Sequence, residues 1–356
     1  MPIPWEENMF ISLCRHLLVL LFISIATVGG NKMATPEIEK KLYADLAKGF
    51  LVAPVTASDK AIAKAYQEAS DAIVIPPPVV VPPVVTPPPV NTAWPRDLTA
   101  NPTGPKKVLP GLVSNVTTTN DGQIIDGVNA DTITVNHKNV TIRNFKTKSI
   151  LATRIGFDAS GLVLEDGIVD GQNQAENAVA YNGYVCRRTE ITRTTDAFKG
   201  HGNVEIDSCW IHDLNFQTGS GTGAGGFSHN DGLQVSSGNN IKIINTRIEN
   251  TRGNAGVFVD PDQGTISNVL VQNNFFTNVG NYMVYVKESA SNPSTGLPSN
   301  VTIIGNTFGA RPAYLDSNWG EMKAEVRANN LVWQNNKDAS GKSVVLDSYG
   351  KAVTQP

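Results

Sequence analysis

HNDGLQVSSGNNIKIINTRIENT, residues 229–251, decides the fold. It opens on a polar triplet, His229, Asn230 and Asp231, and continues into two short runs whose apolar residues alternate: Leu233 with Val235, then Ile241 with Ile243. Alternation at a period of two marks strands with one face buried, and the Gly and Asn between the runs supply turns. The second run is one copy of a repeat. A small or polar residue, two alternating apolar residues and then Asn, Asp or Gly recur as NVTIRN (139–144), GLVLED (161–166), YVCRRT (184–189), NVEIDS (203–208), NIKIIN (240–245), NVLVQN (268–273), NVTIIG (300–305) and NLVWQN (330–335). Their first apolar residues stand at 140, 162, 185, 204, 241, 269, 301 and 331. Short strands roughly 20 to 40 residues apart, separated by Asn/Gly turns, mark a solenoid. The widest gap holds TGSGTGAGGF (218–227), expected to be a loop that leaves a regular rung. The dense leucine lattice of leucine-rich repeats is absent, as is the 3.6-residue period of helical repeats. A parallel β-helix remains, with alternate residues stacking inward and Asn144, Asn245, Asn273, Asn306 and Asn335 suited to the turns.

The rest of the chain is organised around this coil. With 356 residues there is length for one large domain and appendages, and a formal net charge of -3 gives no reason to expect a nucleic-acid partner. Cys14 lies in an N-terminal apolar segment, leaving Cys186 and Cys209, which read as buried free thiols. Residues 1–30 contain LLVLLFISIATV (17–28) after Arg15. This reads as a signal-peptide core or, counted from Ile11, as a membrane anchor. Glu6 and Glu7 are atypical of a signal peptide and keep open a start at Met33. Residues 31–74 are expected to be helical: Thr35-Pro36 is a good helix start, and Ile38, Leu42, Leu46 and Phe50 share one face. Such a segment is either an oligomerisation or docking element or a spacer. Residues 75–105 form a linker whose run IPPPVVVPPVVTPPPV (75–90) holds eight of the chain's 21 prolines and favours extended polyproline II. Residues 106–356 are the β-helix domain.

The run from CWIHDL (209–214) through HNDGLQV, NIKIINTRI and NVTIIGNTFG to LVWQNNKDASG (331–341) resembles the pectate-lyase-like, right-handed parallel β-helix superfamily of secreted and phage-encoded proteins. The resemblance covers about residues 106–341. It implies an all-β solenoid with an extended carbohydrate-binding groove along one sheet and active residues projecting from it. It leaves the reaction open, because the superfamily includes lyases, hydrolases, epimerases and phage tailspikes. GHG (200–202) is similar to the catalytic GHG of its polygalacturonases and HNDG to their NTDG, but here the order of the two motifs is reversed and GHG reads mostly as a turn.

Each repeat is preceded by a second strand: NAVAY (177–181), DAFKG (196–200), DGLQV (231–235), AGVFV (255–259) and YMVYVK (282–287). With Phe198, Leu233, Val257 and Val284 inward, Lys199, Gln234, Phe258 and Tyr285 point outward, and Ser236, Asp260 and Lys287 continue that parity. An outward face with aromatics, lysines and a carboxylate suits an anionic sugar polymer. His229 beside Asp231 is the candidate general acid or base. Asp231 falls above Asp196, and the two carboxylates either bracket a glycosidic bond or cap strands, since they share the parity of the inward residues. The expected catalytic residues are His229, Asp231, Lys287 and Asp260. The expected substrate-binding residues are Lys199, His201, Gln234, Arg252, Phe258 and Tyr285. β-Elimination from an acidic polysaccharide needs a cation beside the uronate carboxylate, for which Lys199, Lys287 and Arg252 are candidates. No cofactor is required, although calcium held by Asp260 and Asp262 could take that role. His212-Asp213 reads as a structural turn, and Trp210, Trp319 and Trp333 as core or end-cap residues. A secreted polysaccharide lyase is the first expectation. The alternatives are a glycoside hydrolase, or a glycan-binding adhesin or tailspike-like protein attached to a membrane or particle through its N-terminal segment.

Overall fold

The computed structural model describes Lys64 and residues 93–152, 159–180, 183–217, 228–311 and 325–355. The expected leader or anchor, nearly all of the expected helical segment, the proline-rich run, the glycine-rich insert and Trp319 lie outside the described residues. The chain divides into two units, Met1–Pro87 and Pro88–Pro356. From residue 93 onward the described elements are strands and two 3-10 turns, Leu98–Ala100 and Pro293–Thr295.

The left-handed residues explain the coil. For an ordinary L-residue a positive φ costs about 1–2 kcal/mol, and Asn, Asp and Gly tolerate it best. One residue of this kind stands immediately before the inward apolar residue of each repeat: Asn139, Gly161, Gly183, Asn203, Asn240, Asn268, Asn300 and Asn330. A second set ends each repeat unit, at Asn144 and Asp166 within longer strands and at Arg188, Ser208, Asn245, Asn273, Gly305 and Asn335 just past shorter ones. A third set, Arg193, Asp213, Asn250 and Asn278, closes the turn. Three bends per turn produce three strand faces. Face one stacks Asn177–Ala180, Asp196–Gly200, Asp231–Val235, Ala255–Val259, Tyr282–Val286 and Glu325–Val326. Face two carries the repeat: the first half of Leu162–Asp170, whose last three residues pass onto face three beside Glu190–Thr192, then Tyr184–Arg187, Val204–Asp207, Gly238–Ile244, Ile266–Gln272, Ser299–Ile304 and Val332–Gln334. Face three stacks Glu190–Thr192, Trp210–His212, Arg247–Glu249, Phe275–Thr277, Thr307–Phe308 and Lys337–Asp338. All of these pairings are parallel, the arrangement of a β-solenoid.

The register differs from the expected one at a single repeat. In YVCRRT the inward residues are Tyr184 and Cys186, aligned with Leu162 and Leu164, so the inward column passes through 184 rather than 185. Asn306 also departs from expectation. Gly305 takes the left-handed bend, and Asn306 turns inside. There it joins a buried ladder: Asn274 Oδ1 accepts Thr246 N–H, Asn306 Oδ1 accepts Asn274 N–H, and Asn336 Oδ1 accepts Asn306 N–H, each at 2.9–3.0 Å. Their Nδ2 groups donate to the carbonyls of Ile243, Val271 and Ile303. Cys186 and Cys209 are buried free thiols. His212 lies within the strand Trp210–His212, not in a turn after the preceding strand. Its Nδ1 lies 2.8 Å from Asp213 and its ring stacks on Trp210 at 3.9 Å. Trp210 is on the outer side, whereas Trp333 packs near the C-terminal hairpin and donates to Val344 O.

Candidate active site

Face one does not alternate strictly. Ala178 with Val179, Ala197 with Phe198 and Met283 with Val284 are pairs of consecutive residues that both join the core. In the two rungs between, the first position is glycine. A Cβ on Gly232 would lie 3.3 Å from the core residue Ile248, and one on Gly256 would lie 2.9 Å from the Phe276 ring. The strand therefore turns over once. Asp196 and Asp231, which share the parity of the inward residues, stand with Ala255 and Tyr282 on the outer side, beside Lys199, Gln234, Phe258 and Tyr285. Two contacts display this: Ala255, Phe258 and Tyr282 form an apolar cluster with Tyr285, and Lys199 Nζ reaches Asp196 Oδ2 at 3.4 Å.

The outer side then has three columns in register. The first runs Asn177, Asp196, Asp231, Ala255, Tyr282, and the second runs Lys199, Gln234, Phe258, Tyr285. The third follows the strand ends, His201, Ser236, Asp260 and Lys287, whose register is carried by the amides of Ser236, Asp260 and Lys287 bonding to Gly200, Val235 and Val259 carbonyls. GHG thus delivers His201 to the same face. Burial, with Lys199 nearby, lowers the pKa of His201.

His229 sits at the mouth of this face. Gln217 and Ser228 are joined by a pair of hydrogen bonds. Asn230, fully buried, ties this stretch to the coil by donating to Thr195 O at 2.7 Å and Asn215 O at 2.8 Å. His229 Nδ1 lies 3.1 Å from Asp231 Oδ2, and its ring meets the Phe258 edge at 5.2 Å. The side chain of His229 is 38% exposed and that of Asp231 is 0% exposed. Asp231 is fixed by accepting from Asn254 Nδ2 at 2.9 Å and Ala255 N–H at 3.0 Å, and its own amide donates to Asp196 Oδ1 at 2.9 Å. Lys287 closes the other side: its Nζ lies 2.9 Å from Asp260 Oδ2, 5.3 Å from the Phe258 centroid and 5.9 Å from that of Tyr285. Tyr285 stacks on Phe258 at 5.3 Å and on Tyr282 at 4.0 Å.

Electrostatics follow from burial and stacking. Burial, then the charge of Asp231, pushes Asp196 up to about 7 despite Lys199. Burial also raises Asp231, with the His229 imidazole opposing it. Burial pulls His229 down, but the carboxylate of Asp231, assisted by Asp196, more than offsets this, so the ring titrates above the ordinary imidazole value.

The structure gathers His229, Asp231, Asp260, Lys287, Phe258 and Tyr285 around one aromatic patch, and places Lys199, Gln234 and His201 on adjoining rungs. Arg252 stands on the bend leading into Ala255–Val259, with its guanidinium 4.5 Å over the Phe216 ring. Among the described residues no group of three or more His, Cys, Asp or Glu side chains is arranged to hold a metal ion. Asn254 and Tyr282 were missing from the expected site, whereas Asp196 was expected either to bracket a glycosidic bond with Asp231 or to cap a strand. The signal that Asp196 and Tyr282 face outward was present as paired small or apolar residues, Ala197-Phe198 and Met283-Val284, which cannot both face inward on a regular strand. Asn254 had no such signal. No protein-family model, curated protein or solved structure matches this chain.

Proposed function

We propose that the chain is a polysaccharide-active enzyme of the right-handed parallel β-helix type that cleaves an acidic polysaccharide by β-elimination, with His229 as its proton-transfer group. The observation that carries this reading is the contrast at His229: its Nδ1 lies 3.1 Å from a fully buried aspartate while the ring itself reaches solvent. A carboxylate beside Nδ1 raises the basicity of the imidazole, which suits Nε2 for proton transfer. In the proposed step neutral His229 takes the proton beside the uronate carboxylate, the bond to the leaving glycosidic oxygen breaks as the C=C forms, and that oxygen collects a proton, for which Tyr285 is the candidate donor. Lys287 and Lys199 offset the charge that develops on the uronate. Each is ion-paired with an aspartate, so both serve as charge partners rather than as bases. Tyr285, half-buried and backed by the buried Phe258 and Tyr282, offers apolar surface to a sugar ring, so Phe258, expected to bind substrate, instead supports that platform; rungs stacked ~4.8 Å apart run a polymer along the coil axis.

Hydrolysis by Asp196 and Asp231 is favoured by their stacking in adjacent rungs. It requires both carboxyls to reach the bond, and their side chains are only 6% and 0% exposed. Exposure therefore favours His229 as the group that meets substrate. Export, with the N-terminal segment as leader or as attachment to a membrane or particle, belongs to the same proposal. The test is incubation with a panel of acidic and neutral polysaccharides, read by ultraviolet absorbance of the unsaturated product and by new reducing ends. Both signals together support elimination, and reducing ends alone point to hydrolysis. Binding without either product marks a glycan-binding protein and refutes the enzyme.

A further inference from the structure

Asp196 and Asp231 occupy the same outer position in successive rungs, and each accepts a backbone amide of the next rung. Inside the same coil neutral Asn274, Asn306 and Asn336 each accept a backbone amide of the preceding rung. Satisfying an amide therefore does not require a charge here, yet face one stacks two carboxyls where their mutual repulsion opposes double ionisation. Asp196 faces Lys199 at 3.4 Å, and Asp231 faces His229 at 3.1 Å. The other cation near His229, Lys287, is held by Asp260.

We propose that Asp196 is a positioning residue for His229: it fixes Asp231 through that residue's amide and shares one proton with it, so that the two carboxyls jointly set the charge on the imidazole. This rests on the reading of His229 as the acid–base group, but it concerns titration and not turnover. As pH rises through about 7 Asp196 loses its proton, and the ring of His229, raised by the Asp231 carboxylate, loses its own above the ordinary imidazole value. Because burial and Asp231 place Asp196 at about 7, and His229 is also raised, the two losses overlap.

The test is the pH titration of the His229 ring by NMR in the full chain labelled at histidine, its signal assigned by loss in His229→Gln. The wild-type curve is expected to depart from a single-proton form. Asp196→Asn retains an oxygen for the Asp231 amide and is expected to restore the single-proton form with a midpoint lower by roughly half a unit or more. Superimposable curves for wild type and Asp196→Asn would overturn the proposal. Should that variant fail to fold, Lys199→Met decides, because removing the cation beside Asp196 shifts the coupled step upward and an unmoved curve overturns the proposal. An inactive protein with coupled titration refutes the acid–base reading alone. An active one with an uncoupled His229 refutes this proposal alone.

Discussion

Asp196 and His229 both hold their protons to higher pH in the folded chain than in the unfolded one, and that couples site chemistry to stability. Unfolded, Asp196 loses its proton near 3.8, and folded it retains the proton to about 7. Across that window the folded state binds the extra proton, so this contribution is full below the unfolded value and is lost as pH rises through 7. The raised imidazole of His229 acts in the same sense: its contribution is full below 6.5 and disappears as pH climbs through the higher folded value. Replacing Asp196 by Asn removes a buried carboxylate that is unfavourable at alkaline pH. Thermal melts should show Asp196→Asn more favourable at pH 8 than at pH 5, relative to wild type, by on the order of 2 kcal/mol. Equal effects at the two pH values would contradict the assignment. Lys287→Met should weaken substrate binding and leave Asp260 buried without its cation, so KM should rise together with a loss of stability of about 1–3 kcal/mol.

Among the strands and bends, the asparagines divide by position, and substitutions should separate the classes. Asn300 holds a left-handed bend, with its amide in an exposed ladder between Asn268 and Asn330. Glycine supplies that φ without a side chain, so Asn300→Gly should change the melting free energy by less than about 1 kcal/mol. Asn306 sits in the buried ladder, where its loss strands the Asn274 amide and the Val271 carbonyl. Asn306→Ala should cost about 3 kcal/mol, near the sum expected for two buried unsatisfied groups. A denaturant series on the two variants checks both values. The sequence made the bends legible because Asn and Gly immediately before an apolar residue have one common physical use. It did not reveal which Asn of NVTIIGNTF (300–308) or NNFF (273–276) turns inward, because that choice depends on whether the neighbouring residue has already taken the left-handed bend. Strict alternation likewise misplaced Asp231, since the turn-over of the strand at Gly232, where the glycine faces the core, is a local departure that a period of two cannot express.

At the scale of the whole unit, residues 93–107 run along the coil before entering it. Trp94, 2% exposed, donates to Asn245 O at 2.8 Å, and Arg247 donates to the carbonyls of Pro95 and Arg96. Arg96 reaches Thr307 at 3.0 Å, whereas Gly104 bonds to Arg188 O, Lys106 N–H to Asn144, and Lys107 pairs with Asp126 at 2.6 Å. The strap thus crosses from late rungs to early ones, joining turns that otherwise contact only their neighbours. Trp94→Ala should destabilise the unit by about 3–5 kcal/mol and raise hydrogen exchange in the Asn245 and Asn273 rungs before the first rungs. This tie was invisible in the sequence, where residues 75–105 read as a linker. The coil itself was legible from its repeats, and the face that bears His229 from the strands that precede them.

The most direct test of the central claim is the initial rate at which wild type and His229→Ala generate ultraviolet-absorbing unsaturated product from the acidic polysaccharide that the wild type cleaves best. The account predicts a loss of about 10²–10⁴-fold in kcat with the melting temperature little changed. Retention of the wild-type rate by His229→Ala would contradict it.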